Sequence, residues 1–377
     1  MAKILVLGAG RVGRVIARDL CDDPGLEVTV ADRDGATLAI LGERHGYSTQ
    51  AAELADPAKV RELAAGFDLV VGALPGFLGL ETMKAVIEAS RSYVDISFMP
   101  EDPRPLGKMA KDKGLVVLYD MGVAPGMSNL LLAQGVRRLA PARFARYLVG
   151  GLPMVRSLPW EYEAPFSPID VVEEYTRPAR FKSGGLMRAR PALSDPELFD
   201  FPGLGTLEGF LTDGLRSLLD TVDCPHLEEK TLRYPGHADR IRVLRDSGFF
   251  GEDEIQVGKA KLKARDFTFA LLDKAWRQAE GSEEFTVMRV EVEGGDPLAP
   301  TRLVWDLLDR TDKDRAETSM ARTTGFPAAL CARRIVNNTI PLRPGVHPPE
   351  ALAEEDAFVD WLLTELSMRS VIFQNNC

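Results

Sequence analysis

Lys3-Ile4-Leu5-Val6-Leu7 runs straight into Gly8-Ala9-Gly10-Arg11-Val12-Gly13, and the reading of these residues decides the fold. An apolar run that opens onto a G-x-G-x-x-G turn describes a strand, a tight turn and a helix. The first glycine permits the turn, the second lets the backbone approach a pyrophosphate, and the third lets the helix pack closely on the strand. A helix that begins there directs N–H groups and a partial positive charge at phosphates. Gly8, Gly10, Arg11, Val12 and Gly13 are therefore the expected phosphate-binding residues. Glycine spacing alone has little specificity, so its surroundings must support it. Val12, Val15, Ile16 and Leu20 follow at helical spacing, and a second strand, Glu27 to Ala31, ends at Asp32. Asp32 lies where a carboxylate accepts hydrogen bonds from the adenosine ribose and repels a 2′-phosphate, which favours NAD over NADP. Arg33, next to it, softens that discrimination.

At 377 residues the chain exceeds what one nucleotide-binding unit needs, so a second domain is expected. Hydrophobic residues make up 45% and charged residues 27%, an ordinary globular composition, and no apolar run reaches the length of a membrane span. With the glycine turn this close to the start, no signal or transit peptide is expected and a cytoplasmic location is. The formal charge of −10 argues against nucleic acid or an anionic membrane as the main partner. Cys21, Cys224, Cys331 and Cys377 are widely scattered and the four histidines show no ligand spacing, so neither a metal site nor a disulfide framework is expected.

Beyond Asp32, helical patterns near 34–45, 57–65, 79–90 and 105–113 alternate with buried-strand patterns at Asp68 to Leu74, Tyr93 to Phe98 and Leu115 to Asp120. This describes a Rossmann-type, doubly wound α/β unit with a parallel sheet. Ligands of such sheets bind beyond the carboxyl ends of the strands, which marks Leu74-Pro75-Gly76, Asp95-Ile96-Ser97 and Asp120-Met121-Gly122 as rim segments. From about Pro141 the alternation stops. Phe144 to Val149, a hairpin at Phe181 to Leu193 around Gly184-Gly185, Phe285 to Val292 and Arg302 to Leu308 read as strands of an α+β domain with a mostly antiparallel sheet. Ser167-Pro168 reads as an N-cap and first-turn proline, opening a helix that runs through Tyr175. Ser319 to Thr339 turns helical again, ahead of a proline-rich stretch from Pro341 to Pro349. The expected division is 1–125 plus 319–377 for the nucleotide domain, and 126–318 for a catalytic, substrate-binding and dimerisation domain.

The glycine turn, GVAPGMSN at Gly122 to Asn129, GGLP at Gly150 to Pro153, SPIDVVEEYTRPA at Ser167 to Ala179, TLRYPGH at Thr231 to His237 and MARTTGFPAA at Met320 to Ala329 together resemble the saccharopine dehydrogenase (reductase) family, in the family's order. Within it the blocks are most similar to the L-lysine 6-dehydrogenase group. The resemblance implies a Rossmann domain completed by C-terminal segments, an inserted catalytic domain, and a homodimer. It also implies NAD-dependent oxidation of the lysine ε-carbon to an imine, hydrolysed to the 6-semialdehyde and ammonia, as in lysine degradation. Ala124 stands where saccharopine reductases commonly carry an aspartate before Pro-Gly, which speaks against glutamate-forming chemistry.

An ammonium must lose a proton before its carbon can release hydride, so a base is needed. Asp95 and Asp120, at the ends of successive strands, are the candidate carboxylates, with a structural cap as the alternative for each. Ser97 is either a ligand or water contact or a strand-end hydroxyl. Arg233 is the candidate for the substrate's α-carboxylate because guanidinium binds bidentately. His237 is a second contact or a proton relay near neutral pH. Tyr175 and Glu174 are candidates for the α-ammonium, although Glu173-Glu174 also suits a solvated helix face. Leu74 and Pro75 are expected along the cofactor, as is Thr324, unless the threonines of Thr323-Thr324-Gly325 serve as helix caps. Two other readings fit the same residues: a dehydrogenase of a secondary amine, such as saccharopine or a carboxylated polyamine, and a non-catalytic NAD-binding redox sensor.

Overall fold

A computed structural model describes residues 1–164, 168–279, 281–296 and 298–376, with the backbone alone at 168 and 169. Chain contacts divide it into two compact units, Met1–Gln134 with Met320–Phe373, and Gly135–Ser319 with the residues from Gln374 onward. The first junction therefore falls inside the helix Met127–Arg138 rather than at residue 125.

The first unit is built around β1 (Ala2–Leu7), whose Ile4, Leu5, Val6 and Leu7 are fully buried. Such a continuous apolar run suits a strand covered on both faces. There follow α1 (Arg11–Cys21), β2 (Leu26–Asp32), α2 (Gly35–His45), β3 (Ser48–Ala51), α3 (Pro57–Ala64), β4 (Leu69–Gly72), α4 (Gly79–Glu88), β5 (Ser92–Asp95), α5 (Gly107–Asp112) and β6 (Val116–Leu118). The sheet order is β3-β2-β1-β4-β5-β6, with Gly345–His347 beside β6, and all neighbouring strands run parallel. The order reverses between β1 and β4, so the glycine turn and the segment after β4 share the topological switch point. Asp34 caps α2 by accepting from Ala36 and Thr37 N–H, and Asp56 caps α3 ahead of Pro57. β3 escaped the sequence reading because Ser48–Ala51 is polar and wholly exposed.

The return helix, Ser319–Val336, packs on α1 as expected: a Cβ at Gly325 would lie 3.2 Å from Ile16 and 3.4 Å from Val12 and Val15. Buried Asp19 of α1 accepts from both Arg333 and Arg369, the latter at 2.6 Å, and so ties the C-terminal segments to the nucleotide fold.

In the second unit the sheet runs Glu197–Phe201, Gly205–Leu211, Leu227–Arg233, Ala142–Pro153, Glu284–Gly294, Thr301–Arg310 and Phe373–Asn375. Its described pairings are antiparallel except that between Leu227–Arg233 and Ala142–Pro153. The hairpin expected around Gly184-Gly185 joins Ala179–Ser183 to Leu186–Arg190, and both glycines take positive φ. The expected helix spans Pro168–Thr176, while its proposed cap, Ser167, lies outside the described residues, as does Cys377. One core gathers Tyr162, Val171, Val172, Tyr175, Phe210, Leu232 and Trp276.

Candidate functional site

The three glycines of the turn have separate steric roles. A Cβ on Gly13 would sit 2.0 Å from the Gly8 carbonyl oxygen, and one on Gly8, at φ +103°, would sit 2.4 Å from the Ala73 oxygen. Both positions therefore need glycine for close backbone approach. Among the described residues, Gly10 has nothing within 4 Å of its Cβ position and no side chain caps α1 there. An open backbone surface thus leads onto a helix N-terminus, the arrangement that receives a pyrophosphate. Asp32 accepts from the Ala9 N–H at 2.7 Å and the Asp34 N–H at 3.0 Å, which fixes the carboxylate beside the turn. Arg33 is exposed next to it, and Arg11 and Val12 are half-buried at the start of α1. Leu74 and Pro75 are half-buried, with Leu74 Cδ2 3.4 Å from the Gly8 Cβ position. Thr324 lies 3.0 Å from the Cβ position of Gly122, against the loop that follows β6. These residues fit a nicotinamide dinucleotide and would hold it along the switch point.

β5 ends on a buried polar network. Tyr93 donates to Asp95 Oδ1 at 3.1 Å and Ser97 donates to Asp95 Oδ2 at 2.5 Å. Space for it comes from two glycines: a Cβ on Gly72 would lie 1.8 Å from the Tyr93 hydroxyl, and one on Gly79 would lie 2.4 Å from Ser97 Oγ. Asp95 is fully buried, and that burial lifts its carboxyl to about 7, against the hydrogen bonds from Ser97 and Tyr93; nearby Asp120 adds to the rise. Asp120, buried with φ +55°, follows β6, and the Met121 N–H after it donates to the Asp95 carbonyl. Ser97 therefore serves the Asp95 carboxylate directly. Tyr93, Gly72 and Gly79 were missed in the sequence, where only a strand-end tyrosine and two glycines were visible.

The second unit holds a network of another kind. Arg233 Nε donates to the Tyr175 hydroxyl at 2.9 Å, Nη1 to the Leu232 carbonyl at 2.9 Å, and Nη2 to Glu174 at 3.0 Å. Its guanidinium lies 4.7 Å from the Tyr162 ring centre. Arg233 is thus a paired, buried cation rather than a free one, and Glu174, 19% exposed, is where the pair meets solvent. Tyr175 and His237 are fully buried and joined by a 3.1 Å hydrogen bond between Oη and Nε2. His237 Nδ1 lies 3.0 Å from the Trp160 carbonyl. Burial, helped by Arg233, lowers the imidazole to about 3, so the relay near neutral pH read from the sequence is corrected: both ring nitrogens are engaged and the ring stays neutral. Glu229, on the same strand as Arg233, accepts from Thr212 at 2.6 Å, and burial raises its carboxyl to about 7. The alternation Glu229-Thr231-Arg233 along one buried strand is the signal by which the sequence could have revealed it.

A doubly wound parallel sheet with an open glycine turn at its switch point, followed by a mostly antiparallel second unit, defines the class of two-unit dinucleotide-binding proteins. The chain belongs to the saccharopine dehydrogenase family: the family model of its NADP binding domain matches residues 4–118 and that of its C-terminal domain matches 122–372. It is 27% identical over 268 residues to the L-glutamate-forming, NADP(+) saccharopine dehydrogenase of Pyricularia oryzae, covering 67% of this chain and 58% of that protein. It is 26% identical over 268 residues to the mitochondrial alpha-aminoadipic semialdehyde synthase of Bos taurus, of which it spans 29%. The carboxyaminopropylagmatine dehydrogenase of Synechocystis is 22% identical over 354 residues, covering 88% of each chain. The apo L-Glu-forming saccharopine dehydrogenase structure from Saccharomyces cerevisiae aligns over 100% of this chain and 99% of its own at a TM-score of 0.83 and 17% identity, and so shares the fold.

Proposed function

We propose that the protein is an amino-acid oxidoreductase that takes hydride from an amine-bearing carbon, and that its substrate is L-lysine, oxidised at the ε-carbon to the 6-semialdehyde with release of ammonia. The observation that carries the amino-acid reading is the buried Arg233–Glu174 pair. A cation beside an anion complements a zwitterionic head group, the α-carboxylate turned to Arg233 and the α-ammonium to Glu174. When bound, the nicotinamide accepts the hydride. Within the first unit, Asp95, with its carboxyl near 7, is part-ionised at neutral pH and is the group suited to accept the proton that an amine releases, and Asp120 beside it favours a cationic imine. Ser97 and Tyr93 orient the Asp95 oxygens. Water then adds to the imine carbon and ammonia leaves.

Ala124, in place of the aspartate common in saccharopine reductases, supports a primary amine over a secondary one. The relatives named for saccharopine and carboxyaminopropylagmatine support the secondary-amine reading. Asp32 supports NAD, while the family domain is named for NADP and Arg33 is the residue that would accept a 2′-phosphate. Purified protein with NAD or NADP and lysine, saccharopine or ornithine, followed by absorbance of the reduced cofactor, separates these readings. Lysine with NAD is expected to turn over fastest; turnover of saccharopine with lysine at background would overturn the choice. Asp32→Ala should weaken the NAD preference, and unchanged selectivity would remove Asp32 from the ribose. Assembly as a homodimer belongs to this reading and is checked by light scattering.

A further inference from the structure

Tyr175 and His237 were expected to touch substrate, yet both are fully buried behind Arg233. Their hydrogen bonds have one consistent direction. The Trp160 carbonyl has no proton to give, so the proton between them belongs to Nδ1 of His237. Nε2 is then bare and accepts the Tyr175 O–H. The tyrosine oxygen, its proton committed, receives the Arg233 Nε–H. The Leu232 carbonyl and Glu174 each take one N–H of the terminal nitrogens, and the Tyr162 and Tyr175 rings, 4.7 and 5.7 Å away, limit the tilt of the guanidinium. Of five N–H groups, three are spoken for among the described residues, and one on each terminal nitrogen remains for a ligand.

We propose that His237 and Tyr175 are positioning residues: the Trp160 carbonyl fixes the proton on His237 Nδ1, His237 turns the Tyr175 hydroxyl, and Tyr175 aims the remaining N–H groups of Arg233 at the substrate's α-carboxylate. The inference rests on the assignment of Arg233 under the proposed function. It separates aiming from chemistry, because neither residue exchanges a proton with the reacting nitrogen.

The test combines kinetics with a readout on the unmutated protein. With L-lysine and NAD, Arg233→Lys, Tyr175→Phe and His237→Ala should each raise KM about tenfold to a hundredfold, the cost of one misplaced charged hydrogen bond, with kcat within about threefold. His237→Gln, which keeps an acceptor for Tyr175, should recover most of the loss seen in His237→Ala. Nitrogen NMR of the unmutated protein should place the proton on Nδ1, a result that does not depend on whether any variant folds. A proton on Nε2 overturns the proposal. So does a raised KM in Arg233→Lys with Tyr175→Phe unaffected, or a fall confined to kcat. An unaltered KM in Arg233→Lys instead overturns the reading of Arg233 itself, and the proposal falls with it.

Discussion

The two units bury polar networks of similar size and opposite electrostatics. Around Asp95 the partners are hydroxyls, Tyr93 and Ser97, and the charge that raises its carboxyl further is another carboxylate, Asp120. Around Arg233 the charge is matched by Glu174, and His237, which would add a second cation, is held neutral. Hydroxyls satisfy lone pairs without cancelling charge, so the first network keeps a titratable proton near neutrality. The second fixes a geometry with its charges balanced. One is therefore suited to exchanging a proton and the other to holding a charged head group.

The comparison breaks most visibly if the cation is removed. Arg233→Ala leaves Glu174 without its partner and opens a hole beside Tyr162, so we expect a loss of about 3–5 kcal/mol in urea unfolding at pH 8. The loss should shrink as pH falls, because burial raises the Glu174 carboxyl despite Arg233 and a protonated Glu174 no longer needs the cation. Adding Glu174→Gln should restore part of the stability at pH 8. A single variant as stable as wild type would show that the pair does not balance the network.

Asp95→Asn tests the other side. Its folded pKa, about 7, lies above the ordinary 3.8, so the folded protein holds a proton that the unfolded chain has released. Stability from this group is fully present below about pH 4, falls as pH rises toward 7, and is level beyond; the drop is on the order of 4 kcal/mol. The asparagine variant should lack that slope and overtake wild type above neutrality, while losing the pH dependence of turnover. Parallel stability profiles of the two proteins from pH 4 to 8 would remove Asp95 as the titrating group. Glu229 sharpens the point from within the second unit. It too has hydroxyl partners, Thr212 and Thr231, and a carboxyl near 7, so Glu229→Gln should flatten a similar slope on the order of 3 kcal/mol. Partner chemistry, rather than the unit, would then decide which carboxylates titrate.

The same contrast explains what the sequence disclosed. The nucleotide unit is written in local signals: a glycine turn, buried runs such as Ile4 to Leu7, and carboxylates at strand ends that topology alone brings to the rim. The second unit is written in distant ones. Arg233 meets Glu174 across 59 positions and His237 meets Trp160 across 77, and no spacing rule joins them. Strands such as Glu197–Phe201, with three exposed residues of five, have too little apolar alternation to stand out. Arg233 and Glu174 could each be picked as candidates, but not their pairing. His237 could be picked as well, but not its protonation, because burial is a tertiary property.

The smallest expected effect isolates one hydroxyl. Ser97 donates to Asp95 at 2.5 Å and holds its pKa below the value that burial alone would give. Ser97→Ala removes that bond and leaves a space rather than a clash, since the Cβ position of Gly79 is crowded by Ser97 Oγ itself. Above pH 7, where Asp95 is ionised, the lost bond is to a charge and should cost about 1.5–3 kcal/mol; below pH 5 it is to a neutral acid and should cost about 0.5–1.5 kcal/mol. The midpoint of the Asp95 titration, followed by stability or by the pH profile of kcat/KM, should move upward. An equal cost at both pH values with an unmoved midpoint would mean that Ser97 packs against Asp95 without tuning it, and Tyr93 would then be the hydroxyl that sets the proton affinity of this site.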